Sequence, residues 1–373
     1  MPSPAATRSI PLFKVFLAPE AELMPRLRDV LYSGQISEGP PVVEFERAFG
    51  AFVAAPAAER VLSFYSGTAA LHTALLLAGV KPGDEVISTA MTAEPTNLAI
   101  LHAGGKVVWA DVDPGNGTLA PEDVQRKITP RTRAILAVDY SGIPCALARL
   151  TKIAADAGVA LIEDAAHALG ARYGGRVLGT HADFVMFSLQ AIKHLTTVDG
   201  GMLVCRDGAA AARGRLLRWF GMDRQAPRTE LDLKEAGYKY HMNNVTATMG
   251  LVQLPHMPRV IGRHIENGRY LDAALRGIPG LELCTWDAAA EPSYWMYTVM
   301  VERRDDFARR LAERGIATSL AHKRNDLHSV FAASRTELPA LDRFFARMIH
   351  LPCGWWVSNE DREYIAATIR EGW

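Results

Sequence analysis

Short apolar runs alternate with helical patterns or longer connections between residues 60 and 205. The runs are VLSFY, EVIS, KVVWADV, RAILAVD, VALIED and DFVMFS. This alternation is typical of strands joined by crossovers and predicts an α/β fold with a mostly parallel, doubly wound sheet. Residues 135–138 are all apolar, as expected for a strand that is covered on both faces. We expect a ligand pocket at the carboxyl ends of these strands.

The pattern changes near residue 257. A long helical stretch covers residues 259–278, and a strand (YWMYTVMVE), an amphipathic helix (RDDFARRLAERGI) and a closing helix capped by Ser358 or Asn359 follow it. The sequence therefore predicts a large domain over residues 1–256 and a smaller α+β domain over residues 257–373.

Composition excludes several classes of protein. The 373 residues are 49% hydrophobic, and 41 basic residues balance 41 acidic ones, so we expect no nucleic-acid partner and no membrane partner. The four cysteines lie far apart without CxxC spacing, which indicates reduced thiols and no zinc site. No run approaches the roughly 20 apolar residues of a membrane span, and the N-terminus lacks a signal-peptide pattern. We expect a cytoplasmic protein without a metal.

Lys193 is the residue with the clearest chemical potential. It follows the strand DFVMFS and precedes a Gly-Gly turn, where a fixed amine can form a Schiff base with a carbonyl cofactor. The alternative is a solvated surface lysine, which is the common state of this residue type. Ser188 ends the same strand five positions earlier, and its hydroxyl suits a phosphate oxygen.

A second motif joins the strand VLSFY to a helix through Ser66, Gly67 and Thr68. Ser66 or Thr68 can cap the helix, Gly67 allows a close backbone approach, and the free amides at a helix start bind anions. The motif therefore predicts a phosphate site, with an ordinary capped helix as the alternative.

A third motif is the strand in GVALIEDAAHALGA, which ends in Glu163 and Asp164 and is followed by His167. An ionised Asp164 opposite a protonated ring nitrogen would keep a pyridinium charged and able to accept electrons. His167 could hydrogen-bond the same ring. The alternatives are a helix cap for Asp164 and a structural role for His167.

Taken in order, SGT, EDAAH, FSLQAIKHLTT and DGG resemble the motifs of the DegT/DnrJ/EryC1/StrS family of pyridoxal-phosphate sugar aminotransferases. The resemblance covers nearly the whole chain, including GYKYHMNNVTATMGLVQL. It implies that Lys193 forms the internal aldimine, that Asp164 pairs with the pyridine nitrogen, and that His167 lies near the phenolic oxygen of the ring. It also implies three residues that hold the cofactor phosphate, Gly67, Thr68 and Ser188.

The same resemblance implies the wider biology. The fold would be fold-type I, with a mostly parallel mixed sheet sandwiched by helices, and the enzyme would be a homodimer with active sites between subunits. It would move an amino group, from L-glutamate, to a keto group of a nucleotide-linked deoxysugar or of a cyclitol. The cofactor would alternate between pyridoxal phosphate and pyridoxamine phosphate.

Three positions depart from the family pattern. Ala93 stands where many relatives place an aromatic side chain against the cofactor ring, and His241 stands where an arginine is common. Lys239 replaces an asparagine that commonly reaches the phosphate in the neighbouring subunit. A lysine can pair with phosphate as a point charge, so we include Lys239 among the predicted cofactor contacts.

Two other functions stay open. A cofactor-dependent sugar dehydratase uses the same scaffold but typically has histidine in place of the lysine, whereas here Lys193 is present and His194 follows it. A non-enzymatic regulator on this fold is the second, and the joint presence of Lys193, Asp164 and Ser188 argues against it.

Two further segments allow more than one interpretation. In SLAHKRNDLH, Lys323 or Arg324 could face a nucleotide diphosphate, or the loop could be a solvated charged one. Trp355 and Trp356 could form an aromatic platform, but we expect them to pack in a core or at a subunit interface.

Overall fold

The computed structural model describes residues 8–224 and 226–373. Its strands are β1 (Val61–Phe64), β2 (Glu85–Ser88), β3 (Lys106–Trp109), β4 (Thr132–Val138), β5 (Ala160–Asp164), β6 (Arg172–Tyr173), β7 (Arg176–Val177), β8 (Phe184–Ser188), β9 (Gly201–Cys205), β10 (Leu281–Leu283), β11 (Ala290–Glu291), β12 (Tyr297–Val301) and β13 (Met348–Leu351). Its α-helices are α1 (Glu20–Tyr32), α2 (Pro40–Phe52), α3 (Gly67–Leu77), α4 (Glu94–His102), α5 (Pro121–Lys127), α6 (Leu147–Ala157), α7 (Gly208–Leu217), α8 (Asn244–Gln253), α9 (Met257–Ala274), α10 (Arg304–Glu313), α11 (Pro339–Arg347) and α12 (Asn359–Arg370).

The main sheet has seven strands in the order β1-β9-β8-β5-β4-β2-β3. Strand β9 runs antiparallel to both of its neighbours, and the other pairs are parallel. Each face of the sheet carries its own apolar cluster, with Ile135 in one and Leu136 in the other. Because both faces of β4 are covered, its residues 135–138 can all be apolar, as the sequence suggested. The predicted α/β fold with a mostly parallel mixed sheet is confirmed.

Two smaller sheets complete the chain. Strands β10, β12 and β13 form an antiparallel sheet that is buried with a third apolar cluster of its own, and β11, β6 and β7 form the other. Helix α9 contributes Val260 and Ile261 to one of the clusters on the main sheet. The division between residues 256 and 257 stays a prediction.

Side-chain caps fix the start of four described helices, α3, α7, α8 and α12, and two of these caps are serines. The Ser66 hydroxyl accepts a hydrogen bond from the Ala69 amide at 3.1 Å at the start of α3. Ser358 and Asp361 form a reciprocal capping box at the start of α12. Both serines satisfy amides that a helix start otherwise leaves unpaired.

The two adjacent tryptophans pack against the N-terminal segment. The indole nitrogens of Trp355 and Trp356 donate to the backbone oxygens of Lys14 and Pro11, and Trp355 meets the ring of Phe16 edge to face. They therefore have a packing role within the chain.

Among the described residues, no helix combines the length and apolar character that crossing a bilayer requires.

Candidate active site

A cavity of about 360 Å³ opens at the carboxyl ends of the central strands. It lies where β1, β5 and β8 end, as expected for a ligand site in an open α/β sheet. The structure brings together six of the seven predicted site residues in its lining: Gly67, Thr68, Asp164, His167, Ser188 and Lys193.

The start of α3 forms one wall of the cavity. A Cβ atom on Gly67 would lie 3.1 Å from the Ser188 Cβ and 3.3 Å from the Met186 Sδ, which is tighter than ordinary contact. Gly201 of β9 approaches the same turn so closely that its Cβ would lie 2.5 Å from the Ser66 oxygen. Glycine at these positions lets the start of α3 pack closely against β8 and β9. Amides at a helix start beside a serine hydroxyl suit a phosphate group.

Gly67→Ala is expected to weaken pyridoxal-phosphate binding at least about tenfold, which corresponds to roughly 1.4 kcal/mol. The added methyl group would have to displace Ser188 or Met186 at the edge of the predicted phosphate site. Gly208→Ala is the matched control, because Gly208 is also the first residue of a helix and nothing lies within 4 Å of its Cβ position. Titration of the cofactor-free variants, followed by absorbance, measures the dissociation constants; wild-type affinity in Gly67→Ala would contradict this account of the site.

Asp164 ends β5 with its carboxyl group buried and held in place. One oxygen accepts a hydrogen bond from the Thr96 hydroxyl at 2.8 Å, and the other accepts from the Ala166 amide at 3.1 Å. Burial raises the pKa of Asp164, while these two hydrogen bonds and the charge of Lys193 oppose the rise. A buried carboxylate gains from a cationic partner, and the protonated nitrogen of a pyridine ring is such a partner.

His167 is buried beside Asp164 and is neutral. Burial lowers the pKa of His167 well below its usual value, and the positive charge of Lys193 lowers it further. Its Nδ1 atom accepts a hydrogen bond from the Ser141 amide at 3.3 Å. A neutral imidazole that accepts at Nδ1 carries its proton on Nε2. His167 is therefore set up as a donor toward an anionic oxygen in the cavity.

The amine of Lys193 lies in the same cavity, on a residue that is half-buried. Burial lowers its pKa to about 7, and the negative charge of Asp164 acts in the opposite direction. Near neutral pH a large fraction of this amine is therefore uncharged. An uncharged amine can attack a carbonyl carbon and can accept a proton, which are the two tasks of a Schiff-base lysine.

Three site residues were missed in the sequence. Thr96 orients Asp164, Trp295 lies against the Lys193 amine at 3.7 Å from ring centroid to Nζ, and His322 lines the cavity. Thr96 and Trp295 reach the site from distant parts of the chain, and no local pattern marks either of them. His322 belongs to the charged segment SLAHKRNDLH, for which a ligand contact was one interpretation, so its position could have been suspected.

Arg324 is not available for a diphosphate. Its guanidinium is buried and forms ion pairs with Asp326 at 2.7 Å and with Asp342. The neighbouring Asn325 is buried and donates a hydrogen bond to the Thr92 backbone oxygen at 2.8 Å. This part of the loop is therefore a docked structural element, whereas Lys323 beside it is exposed.

Lys239 lies outside the cavity of its own chain. Tyr238 and Tyr240 stack on each other and contact the buried ring of His72, whereas Lys239 between them is exposed. The contact between Lys239 and a phosphate in a neighbouring subunit stays a prediction. Ala93 does line the cavity, but it has no ring to stack on a cofactor. The aromatic rings in the described lining are those of His167 and His322.

The donor set fits pyridoxal phosphate. The cavity joins an anion site at a helix start, a buried carboxylate, a neutral imidazole and an amine, and each has a matching group on that cofactor. Within residues 8–224 and 226–373, no group of three or more His, Cys, Asp or Glu side chains is arranged to hold a metal ion.

Comparisons with known proteins agree with this geometry. The model of the DegT/DnrJ/EryC1/StrS aminotransferase family matches residues 18–370. The sugar aminotransferase CalS13 from Micromonospora echinospora is 41% identical with a TM-score of 0.93, covering 98% of this chain and 100% of that chain. AtS13 from Actinomadura melliaura is 43% identical with a TM-score of 0.93, covering 98% and 99%.

A third solved structure bears on the cofactor. Spr1654 from Streptococcus pneumoniae in its PLP form is 28% identical to this chain, with a TM-score of 0.88 and 98% coverage of each chain. Together with the cavity and its donor set, these similarities extend over nearly the whole chain. The protein therefore belongs to the DegT/DnrJ/EryC1/StrS aminotransferase family and is a pyridoxal-phosphate-dependent aminotransferase.

Proposed function

We propose that the enzyme transfers an amino group from L-glutamate to a keto group of a nucleotide-linked deoxysugar or of a cyclitol. The observation that carries this proposal is the position of the Lys193 amine, which shares one cavity with the fixed carboxyl of Asp164 and the helix start at Gly67. The likeness to CalS13, a sugar aminotransferase, supports a sugar as the acceptor.

Each side chain has a defined task in this proposal. Pyridoxal phosphate, when bound, supplies an electron-accepting ring and the carbon through which the amino group passes. Lys193 would hold the cofactor, and its Nζ atom would accept and return a proton. Asp164 would hold the protonated ring nitrogen, and His167 would donate through Nε2 to the phenolic oxygen. The phosphate is held by Ser188, Thr68 and the amides that begin at Gly67.

The proposal includes a homodimer with Lys239 near the phosphate of the partner subunit. Tyr65 and Val198 adjoin the cavity lining with 45% and 62% of their surface exposed, and Phe220 beside the Lys239 segment is 39% exposed. Val198 also has a φ of 71°, which is costly for a β-branched residue. Exposed apolar groups of this kind, gathered beside a site, favour a protein contact there.

A cytoplasmic location is also part of the proposal. The four cysteines are all unpaired, and three of them are buried. Buried free thiols are typical of proteins in a reducing compartment. Fractionation of the source cells, with the protein followed by an antibody, tests this location.

The dehydratase alternative would need a histidine where the lysine stands. His194 does not line the cavity in the described structure, and its ring packs edge to face against His264 at 4.5 Å. Burial lowers the pKa of His194 well below its usual value. The observed packing of His194 therefore supports a structural role and favours amino transfer.

L-Glutamate without an acceptor is expected to convert the bound cofactor in a single turnover. The visible band of the bound cofactor should disappear, and one equivalent of 2-oxoglutarate should form per site. Conversion by another amino acid but not by glutamate would refute the donor, and conversion by no amino acid would refute amino transfer. The acceptor is then tested with ¹⁵N-glutamate as the donor. Transfer of the ¹⁵N label is compared among nucleotide-linked keto sugars, the free keto sugars and keto cyclitols. An absence of labelled product from both the nucleotide-linked keto sugars and the keto cyclitols would refute the acceptor class.

A further inference from the structure

We propose that Trp295 is a positioning residue for Lys193, whose indole face stabilises the protonated amine and whose N–H group fixes the adjoining backbone. The Lys193 Nζ atom lies 3.7 Å from the centroid of the indole ring. The indole nitrogen donates a hydrogen bond at 2.9 Å to the backbone oxygen of Ile192, the residue immediately before the lysine. Trp295 is buried, whereas Ile192 and Lys193 are half-buried. This inference rests on the role proposed above for Lys193.

The surroundings of the amine show why an aromatic face matters there. Asp164 is the charged group that favours the ammonium form, and burial opposes that form. The titratable groups that face Lys193 from other segments are His167 and His322, with His194 beside it, and burial lowers the pKa of each histidine. These rings are neutral near pH 7 and do not repel the ammonium. A tryptophan face attracts a desolvated cation more strongly than other aromatic side chains do.

The same indole also touches the second polar group of the site. The rings of Trp295 and His167 stack with their centroids 3.9 Å apart and their planes at 22°. Trp295 lies just before β12, in the C-terminal part of the chain, whereas Lys193 follows β8 of the main sheet. One side chain therefore ties the amine and the imidazole to the C-terminal sheet. Trp295 therefore favours the protonated form of an amine that has to both accept and return a proton, and it holds that amine in place.

The experiment uses the cofactor-free protein and measures how fast Lys193 is acetylated as a function of pH, with the Lys193 peptide quantified by mass spectrometry. Trp295→Leu removes the aromatic face and is expected to lower the pKa of Lys193 by about one unit. Trp295→Phe retains a weaker face and should lower it by roughly half as much. A Trp295→Leu variant whose lysine titrates like that of the wild type would overturn the proposal.

Trp286→Leu is the matched control. Trp286 is half-buried, meets Tyr294 edge to face and has no contact with Lys193, so the pKa of the lysine should not change. Thermal unfolding of each variant shows whether a shift merely follows a loss of structure. A Trp286→Leu variant that shifts the lysine as much as Trp295→Leu would also overturn the proposal.

A second measurement leaves no void in place of the indole ring, and it serves in case Trp295→Leu fails to fold. Fluorinated tryptophans, incorporated into the unchanged sequence, weaken the negative face of the indole in steps while nearly keeping its shape. The pKa of Lys193 should fall with each added fluorine, and a constant pKa would refute the proposal. Neither measurement needs cofactor or substrate. A shifted lysine in a protein without amino-transfer activity would therefore refute the proposed function alone.

Discussion

Lys193→Ala is expected to abolish amino transfer, with kcat/KM reduced at least about 10⁴-fold, while the protein still folds. The substitution removes the amine that we propose holds the cofactor and moves the proton. It also removes a group whose charged form is disfavoured by burial, as the lowered pKa of Lys193 shows. The unfolding temperature of the cofactor-free protein should therefore not decrease. Initial rates, circular dichroism and thermal unfolding measure these effects.

Two controls separate the amine from its charge and from a general effect of removing lysine. Lys193→Arg keeps a cation but cannot act as the nucleophile, so it should be as inactive as Lys193→Ala. Lys152→Ala removes an exposed lysine that pairs with Asp156 on α6, and it should keep wild-type turnover. Turnover above about a tenth of the wild-type rate in Lys193→Ala would contradict the general-base role, whose removal should cost far more.

Asp164→Asn is expected to have the second largest effect, a loss of roughly 10³-fold in kcat, because a neutral amide cannot keep the ring nitrogen protonated. Thr96 and Ala166 hold the carboxyl in place, so the substitution changes its charge more than its position. Glu163→Gln is the matched control one residue earlier. Glu163 does not line the cavity, since successive side chains of a strand face opposite sides of the sheet. Equal losses in the two variants would contradict the role of Asp164.

Asp164→Asn should lower activity, but it should not lower the stability of the cofactor-free protein at pH 7. Burial raises the pKa of Asp164 in the folded, cofactor-free protein above its unfolded value of about 3.9, so the folded state binds more protons between these two values. Stability contributed by this residue is therefore lost as the pH rises through that window. At pH 7 cofactor-free Asp164→Asn should unfold at or above the wild-type temperature, and the difference should vanish below about pH 4. A lower unfolding temperature at pH 7 would contradict this.

The main sheet could be predicted because its signals are local. Buried parallel strands are continuous apolar runs, and each run is recognisable without knowledge of its partners. Strand β9 was not among the predicted strands, although it pairs with both β1 and β8. Its antiparallel direction is decided by these two partners. Strand β1 lies about 140 residues away along the chain, and β8 lies about 15 residues away. A rule based on periodicity therefore had no means of placing it.

The site could be predicted as far as its residues follow strand ends. Gly67, Asp164, Ser188 and Lys193 come directly after or near the ends of strands, and the carboxyl ends of parallel strands meet at one edge of a sheet. Trp295 could not be predicted in this way, because it reaches Lys193 from a segment about 100 residues away.

Arg324 shows the reverse error. It belongs to a loop with several charged residues and could be interpreted as a free cation, yet its guanidinium is paired with two carboxylates. Asp326 lies two residues away, but Asp342 comes from α11 and meets Arg324 only in the folded chain. A run of charges in a sequence indicates where cations lie, and only the fold shows which of them are already paired.

The most direct test of the central claim is covalent trapping of the cofactor. The protein is incubated with pyridoxal phosphate, reduced with borohydride and digested, and the peptide that carries the cofactor is identified by mass spectrometry. We expect the cofactor on Lys193, at one equivalent per chain. Trapping on another lysine, or no trapping at all, would contradict the assignment of this cavity as the active site.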